Sequence, residues 1–596
     1  MFGQNVCAVI GRALLATAIG GLVSGCATTA DSGDKATELA ITLKPHADPD
    51  HGETIDTVAV TLRFSGLETG GIMKPVLLMP LVVSNVDSVA TTLTDMKASD
   101  ERGPLTLRVS DIDAPLEAAG DAESGGPSRA WLADRPIVGP VTVSFFVPAE
   151  ATLPPRGPAP PFSFSADGGG VSASGHVFLP LPPGDATYRA SFDWDLTALP
   201  AGARGVTTFG EGHVIAPEPL TSSELRMTFY MAGQIGAYPT VVPATGFFGA
   251  WQGEPAFDAA KLLAWTSNLY GHYSKFFGQE TPPPYGVFLR YNPINAGGGV
   301  GLYHSFVTTF GAGDGADVEK IRITLAHEMF HTFQPYIESP PGLESSWFGE
   351  GLAVLYARRL ALRFDSITPD AFLDDLNSGA GRYYTSLMAT EPNSEVPKRF
   401  WADTRIRTLP YDRGMLYFAT VDDAVRKASN GTRSLDDLML AMLALEKSGK
   451  VTTNADWEAL LTDALGPDAV TAFRGFLNGD MPIPASDAFG PCFERTTKPM
   501  RRYELGFDTA VLAEPKRIVR GLVAGSAAEQ AGLQNGDEIV VPVPQDGIQG
   551  NQTEMLKLKI RRNGETSDIT YLPRGETVEA YQWQRKAGTD DLDCAL

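Results

Sequence analysis

In the segment TLAHEMFHTFQPYIESPPGLESSWFGEGLAVLYARR (residues 324–359), two histidines and two glutamates stand at spacings that chemistry can use. His327 and His331 are four apart, so on a helix they share a face and aim both imidazoles at one point, as a tetrahedral zinc ion requires. Glu328 projects beside that point without ligating, where it is placed to act as general base toward an activated water. The bland alternative is a buried helix that happens to hold two histidines. With 8 histidines in 596 residues, such a chance match is expected on the order of once in a hundred chains.

Two ligands are too few, because a hydrolytic zinc takes three from the protein and keeps one position open. Glu350, separated from His331 by eighteen residues, is the natural third. Pro340-Pro341-Gly342 between them lets the chain double back. Any single glutamate is more often a solvated surface residue. Here Trp347, Phe348, Leu352 and Val354 surround it, and a carboxylate among apolar residues is costly unless paired with a cation.

The pattern His-Glu-x-x-His, eighteen residues, then Glu in W-x-x-E-G resembles the gluzincin aminopeptidases, and WFGEGLA is similar to their WLNEGFA. The resemblance implies one zinc on His327, His331 and Glu350, with Glu328 as general base. LPYDRGMLYF (409–418) resembles the family's Tyr-x-Lys/Arg-Gly segment and implies that Tyr411 donates a hydrogen bond to the developing oxyanion; a packed core tyrosine is the alternative. GGGVGLYHSF (297–306) resembles the Gly-rich edge strand of the glycyl aminopeptidases, with Gly299, Gly301, Tyr303 and His304 as the implied substrate-binding residues. Tyr303 stands where that family has the glutamate that pairs with the peptide's amine. A phenol does not replace a charge-assisted bond worth about 1.5–3 kcal/mol. Amino-end specificity is therefore open, and an endopeptidase fits as well. The glycines could equally form a flexible loop.

Near the C-terminus, GSAAEQAGLQNGDEIV (525–540) and ELGFD (504–508) resemble a PDZ domain and its carboxylate-binding loop. Leu505, Gly506 and Phe507 are the implied peptide-binding residues. A PDZ fold that only packs on the catalytic region is the alternative. The order of β-domain, gluzincin core and PDZ resembles the glycyl aminopeptidase family, family sixty-one of the metallopeptidases. It implies a zinc metallopeptidase, an aminopeptidase by family. A peptidase-like scaffold that binds peptides without turnover is the competing reading.

These residues need elements to hold them. Residues 55–240 show short alternating runs such as TVAVTLRF and VTVSFFV, separated by Gly, Pro and Asp, which predict an antiparallel β-sandwich. Residues 245–480 predict a small sheet followed by helices, an α+β layout that the resemblance implies is a thermolysin-like (gluzincin) catalytic domain. It has a helix at 258–277, strands at 285–292 and 301–310, a helix at 317–337 carrying the histidines, and helices at 347–363, 412–427, 434–446, 454–465 and 468–477. Residues 490–596 return to short strands as the PDZ-like β domain.

The first 25 residues read as a secretory signal, with an apolar run at 13–23 too short to span a bilayer. Val23-Ser24-Gly25-Cys26 resembles a bacterial lipobox and implies cleavage before Cys26 and lipidation of its sulfur. Residue 27 is not Asp, so the expectation is an exported lipoprotein of the outer membrane, facing the periplasm or the cell surface. Residues 26–54 then read as a polar tether. Cys492 and Cys594 flank the last module and, in an oxidising compartment, either pair or stay free. The net charge of −23 argues against nucleic acid as a partner. The expected partners are peptide or protein substrates, the lipid of a membrane, and a peptide C-terminus at the last module.

Overall fold

The computed structural model describes residues 5–6, 36–48, 54–67, 74–83, 86–114, 126–149, 163–184, 186–292, 298–311, 318–514, 516–543, 545–591 and 594. Cys26 lies outside them, as does the signal segment apart from the two-residue strand Asn5–Val6.

The N-terminal half is built of β layers. The larger sheet runs Val214–Ile215, Thr187–Trp194, Thr37–Ala47, Ile55–Phe64, Val141–Pro148, Thr94–Asp100, Gly103–Leu105. A five-stranded sheet centred on Phe229–Gly233 packs nearby, with Val206, Phe229 and Met231 in the same core as Leu39, Val60 and Phe145. Two features depart from the sequence reading. Thr37–Ala47, within the expected tether, is an eleven-residue strand whose Leu39, Ile41 and Leu43 alternate inward. The same strand lies parallel to Thr187–Trp194, so the region is not purely antiparallel. Alternation is easily lost in a polar stretch, and one of the partner strands that make it worthwhile, Thr187–Trp194, lies about 150 residues away.

A mixed sheet separates these layers from the helices. Its order is Asn5–Val6, Gly299–Leu302, Ser305–Phe310, Tyr285–Tyr291, Phe247–Trp251, Gly236–Tyr238, with three central strands parallel. Neighbouring residues on one strand face opposite ways: Phe248, Phe288 and Val307 join the β-layer core, whereas Phe247, Val287 and Phe306 join the helical core. Burial on both faces accounts for the run YGVFL (residues 285–289), which does not alternate with polar residues.

The helical region carries Ala259–Phe276, Val318–Phe330, Ser346–Arg363, Pro369–Tyr384, Leu409–Ala428, Leu435–Lys447, Asn454–Leu465 and Pro467–Leu477. Trp347 stacks on Phe418 and Phe348 meets Trp457, tying three of these helices together. The histidine helix ends at Phe330, not near 337. Pro335 has no N–H for a helical bond to the His331 carbonyl and its ring clashes there, so the chain turns. Helix Pro369–Tyr384 is not among those the sequence pattern predicts, although Thr368 caps it and Pro369 opens it; Gly379 and Gly381 mask its periodicity.

The predicted strand at 301–310 is a hairpin. Gly299–Leu302 and Ser305–Phe310 pair antiparallel, with Tyr303 and His304 as the turn and His304 at φ 45°. Past the helices, Phe493–Tyr503 and Arg574–Arg585 form a two-stranded ribbon whose Phe493, Ala580 and Trp583 belong to the helical core. Residues between the ribbon's strands make a core of their own, including Leu505, Val511, Leu533, Leu558 and Ile569. Cys492 and Cys594 form a disulfide at the ribbon's base.

Candidate metal centre and active site

The glutamate helix Ser346–Arg363 lies against the histidine helix Val318–Phe330 because the chain reverses through 331–345. His327 and Glu350 are almost wholly buried, at 1% and 2% exposure. His331 sits one residue past the histidine helix yet keeps its four-residue offset from His327. Their donor atoms converge: His327 Nε2 is 3.1 Å from Glu350 Oε2, His331 Nε2 is 3.4 Å from the same oxygen, and the two nitrogens are 3.1 Å apart. Donors placed about 2.0–2.1 Å from a tetrahedral zinc stand about 3.3–3.4 Å from one another. The triangle therefore fits a zinc ion without rearrangement, and among the described residues it is the one His/Cys/Asp/Glu group with such convergence.

Burial alone would raise the Glu350 carboxyl, but the charge of His331 and the hydrogen bond with His327 hold it down to about 2. Burial disfavours the charged ring of His331, and the Glu350 carboxylate more than offsets this, so its pKa lies above the ordinary imidazole value. An ionised carboxylate with two imidazoles turned toward it is a donor set made for a divalent cation.

Side chains around the triangle orient it. Tyr336 places its hydroxyl 3.2 Å from His331 Nδ1 and donates its own proton to the His331 carbonyl oxygen at 3.0 Å. The hydroxyl thus accepts from Nδ1–H, the tautomer that leaves Nε2 a free lone pair. Gln334 Nε2 lies 2.8 Å from the same Nδ1 and donates to the Gly349 carbonyl oxygen at 3.0 Å. The two neighbours favour opposite tautomers, and His331 could hold a metal through Nε2 only in the Nδ1–H form that Tyr336 accepts. Gly349 is what admits them, since a Cβ there would stand 2.9 Å from the Tyr336 ring. Neither Gln334 nor Tyr336 is singled out by sequence; the signal available is their place three and five positions beyond His331.

Glu328 lies beside the triangle, its Oε1 4.0 Å from His327 Nε2. It faces the sheet edge: a Cβ added to Gly301 would stand 3.9 Å from Glu328 Oε2. That is ordinary contact distance, so residue 301 lies directly against the carboxylate. Tyr411, in the first turn of the tyrosine helix Leu409–Ala428, stacks its ring 6.0 Å from that of His327. It reaches this place because the tyrosine and glutamate helices touch at Gly351 and Gly414. A Cβ on Gly351 would stand 2.7 Å from the Gly414 Cα.

The structure therefore brings His327, Glu328, His331, Glu350 and Tyr411 together, with Gly299 and Gly301 on the adjoining strand. Tyr303 and His304 lie in the hairpin turn, their rings 4.3 Å apart, and Tyr303 packs on Phe209 of the β layers at 6.0 Å. Leu505, Gly506 and Phe507 belong to the separate C-terminal module, with Leu505 and Phe507 in its core. Gly506 has φ 85°, and Thr509–Ala513 just after it is a 3-10 helix, not a strand.

No family model matches the chain, and no curated protein does. Solved structures do match. An aminopeptidase N family protein from Idiomarina loihiensis superposes with a TM-score of 0.61 at 15% identity, over 92% of this chain and 98% of that one. An M1 zinc metallopeptidase from Deinococcus radiodurans aligns at TM-score 0.41 and 14% identity, over 75% of this chain and 94% of that one. Native yeast LTA4 hydrolase aligns at 0.42 and 11%, over 76% and 70%. The first likeness establishes the fold: a multidomain chain with a β-rich N-terminal region and a helical part behind it, laid out as in an aminopeptidase N family protein. Within that fold sits a buried His-His-Glu cluster with a carboxylate at its side.

Proposed function

We propose that this protein is a zinc-dependent peptidase. The observation that carries the reading is the convergence of His327 Nε2, His331 Nε2 and Glu350 Oε2 to within 3.1–3.4 Å of one another between two packed helices. A zinc ion held there supplies Lewis-acid polarisation of a scissile carbonyl and of the attacking water. The chain's own residues do the rest. Glu328 removes a proton from the attacking water and returns it to the leaving amine. The Tyr411 hydroxyl donates to the oxyanion as charge develops, which lowers the barrier selectively. The strand Gly299–Leu302, flanked in the sheet by the two-residue strand Asn5–Val6 of the expected signal segment, would align the substrate backbone beside Glu328 once that segment is gone.

Exopeptidase action is what the gluzincin resemblance implies. The position of Tyr303 favours a second specificity. It sits in a turn packed on Phe209 and carries no charge for an ammonium group, so internal peptide bonds suit the site equally well. The C-terminal module is proposed as PDZ-like, with the loop at Leu505, Gly506 and Phe507 receiving a peptide C-terminus through backbone amides. Since a 3-10 helix follows that loop, strand addition would play little part. Export as a lipoprotein through Cys26 is proposed from the lipobox resemblance; the disulfide is consistent with an oxidising compartment. Among the described residues, no helix is long and apolar enough to cross a membrane.

Zinc content and hydrolysis of aminoacyl nitroanilides and internally quenched peptides, measured on the wild type and Glu328→Gln, test the reading. Metal retained with turnover lost supports it. Undiminished turnover in the variant would end it. Wild-type protein that cleaves neither substrate class at any zinc level returns the scaffold reading.

A further inference from the structure

Tyr411 is the one residue of the catalytic and ligand set that does not come from the 327–350 stretch, and the chain leading into it, capped locally by Asp403, is also held from the C-terminal module. The one-turn helix Thr404–Arg407 and the cap Thr408 precede the tyrosine helix. Both rest against helix Gln545–Gly550 of the C-terminal module. Arg407 donates twice to the Asp546 carboxylate, Nε to Oδ2 at 3.0 Å and Nη2 to Oδ1 at 2.6 Å. Thr404 donates its hydroxyl to the same carboxylate. Gln549 Nε2 donates to Thr408 Oγ1 at 3.3 Å. These contacts are enclosed, with Asp546 only 7% exposed.

A two-pronged guanidinium–carboxylate pair fixes rotation as well as distance. Here it fixes the residue one helical turn before Tyr411, close enough that Arg407 and the Tyr411 phenol influence each other electrostatically. On the far side Asp412 receives a second fork from Arg382, at 2.6 and 2.8 Å. Tyr411 is thus bracketed by two buried ion pairs, one internal to the helical region and one supplied by the C-terminal module. Removing one partner of such a pair leaves an uncompensated buried charge, so the surrounding turn must move.

We propose that Asp546 is a positioning residue for Tyr411, acting through Arg407, so that the C-terminal module completes the active centre. The inference rests on the peptidase reading. It gives the module a role at the reaction site that peptide capture at residues 505–507 does not require.

The test uses the full-length, zinc-loaded chain and an internally quenched peptide that the wild type cleaves. Asp546→Asn and Arg407→Gln attack the contact from opposite sides, and each is also placed in a Tyr411→Phe background. With Tyr411 present, each should lower kcat by roughly ten- to a hundredfold, the scale of a misplacement of about 1 Å. KM and zinc stoichiometry should hold, and amide hydrogen exchange should quicken over residues 404–412 while 556–571 keep wild-type protection. In the Tyr411→Phe background, the same changes should cost no more than about twofold, because the hydroxyl they position is gone. Asp546→Glu should restore part of the rate. Equal losses in both backgrounds would overturn the inference, as would unchanged kcat in both single variants. Should those variants be silent while Glu328→Gln abolishes turnover, the peptidase reading stands and only this inference falls. If Glu328→Gln leaves turnover intact, the reading itself has failed.

Discussion

The two halves of the candidate centre are built in different ways. The metal half, His327 through Glu350, comes from a single helix–turn–helix whose donors meet because the chain reverses on itself over a short stretch. The tyrosine half is assembled from afar. Tyr411 arrives on a helix that is let in by Gly351, anchored by Arg382 and tied at its start to Asp546. A local unit tolerates changes elsewhere in the molecule; an assembled one inherits the tolerances of every partner. Ligand geometry should therefore be robust and transition-state stabilisation fragile, and changes at named residues can separate the two.

The largest effect is expected at the local unit. Glu350→Gln removes the charge that both imidazoles face, and a neutral amide is a poor zinc ligand. Zinc content should fall to background and hydrolysis with it, as read by metal analysis and turnover. Retention of stoichiometric metal would break the comparison at its first term. Next is the crossing between the halves. Gly351→Ala puts a methyl within contact of the Gly414 backbone, an overpacking worth about 1–3 kcal/mol in thermal or denaturant unfolding. Turnover should drop while zinc still binds, because the displaced helix carries Tyr411. A variant that unfolds normally and turns over normally would show that the close approach is slack.

Smaller, and again confined to the metal half, is Tyr336→Phe. Loss of the hydroxyl that accepts from His331 Nδ1–H should weaken zinc binding by about 10–100-fold with kcat at saturating metal little changed. A chelator competition assay reads this directly. The mildest probe is acid. Glu350, held down to about 2, stays ionised, and burial lowers the pKa of His331 less than that carboxylate raises it. A raised value means the metal-free protein gains from the protonated pair below the ordinary imidazole pKa and loses that gain as pH rises through the folded value. Zinc needs the unprotonated ring. Stabilisation by added zinc should thus be full at about pH 8 and vanish toward about pH 5. A pH-independent zinc effect on melting temperature would rule out His331 as a ligand.

Some of this architecture is legible in single stretches of sequence, and some is hidden there. The four-residue spacing of the histidines, the apolar setting of Glu350 and the turn at Pro340-Pro341-Gly342 are local properties, and the helices they predict are present. Helix Pro369–Tyr384 is hard to read because Gly379 and Gly381 occupy buried positions: a Cβ at 381 would stand 2.7 Å from the Met500 side chain. Strand Thr37–Ala47 is hidden for the opposite reason. Its pairing lies with Ile55–Phe64 and Thr187–Trp194, and a single strand without its partners resembles a polar linker. Tyr303 and His304 read as strand residues, and only the hairpin places them in a turn.

The sequence by itself picked out the candidate donors His327, His331 and Glu350 and the carboxylate of Glu328, since the four-residue spacing of the histidines gives them a shared direction and the apolar setting of Glu350 calls for a cation. It also determined the breaks, the cysteines and the basic division into strand-rich and helix-rich parts. Which side chains stand behind the ligands, what brings Tyr411 beside His327, and that Asp546 reaches back across more than a hundred residues were decided only in three dimensions. Those contacts depend on helix crossings and loop closures between distant segments, and a crossing is set by the surfaces of both partners at once, which no one stretch of sequence contains.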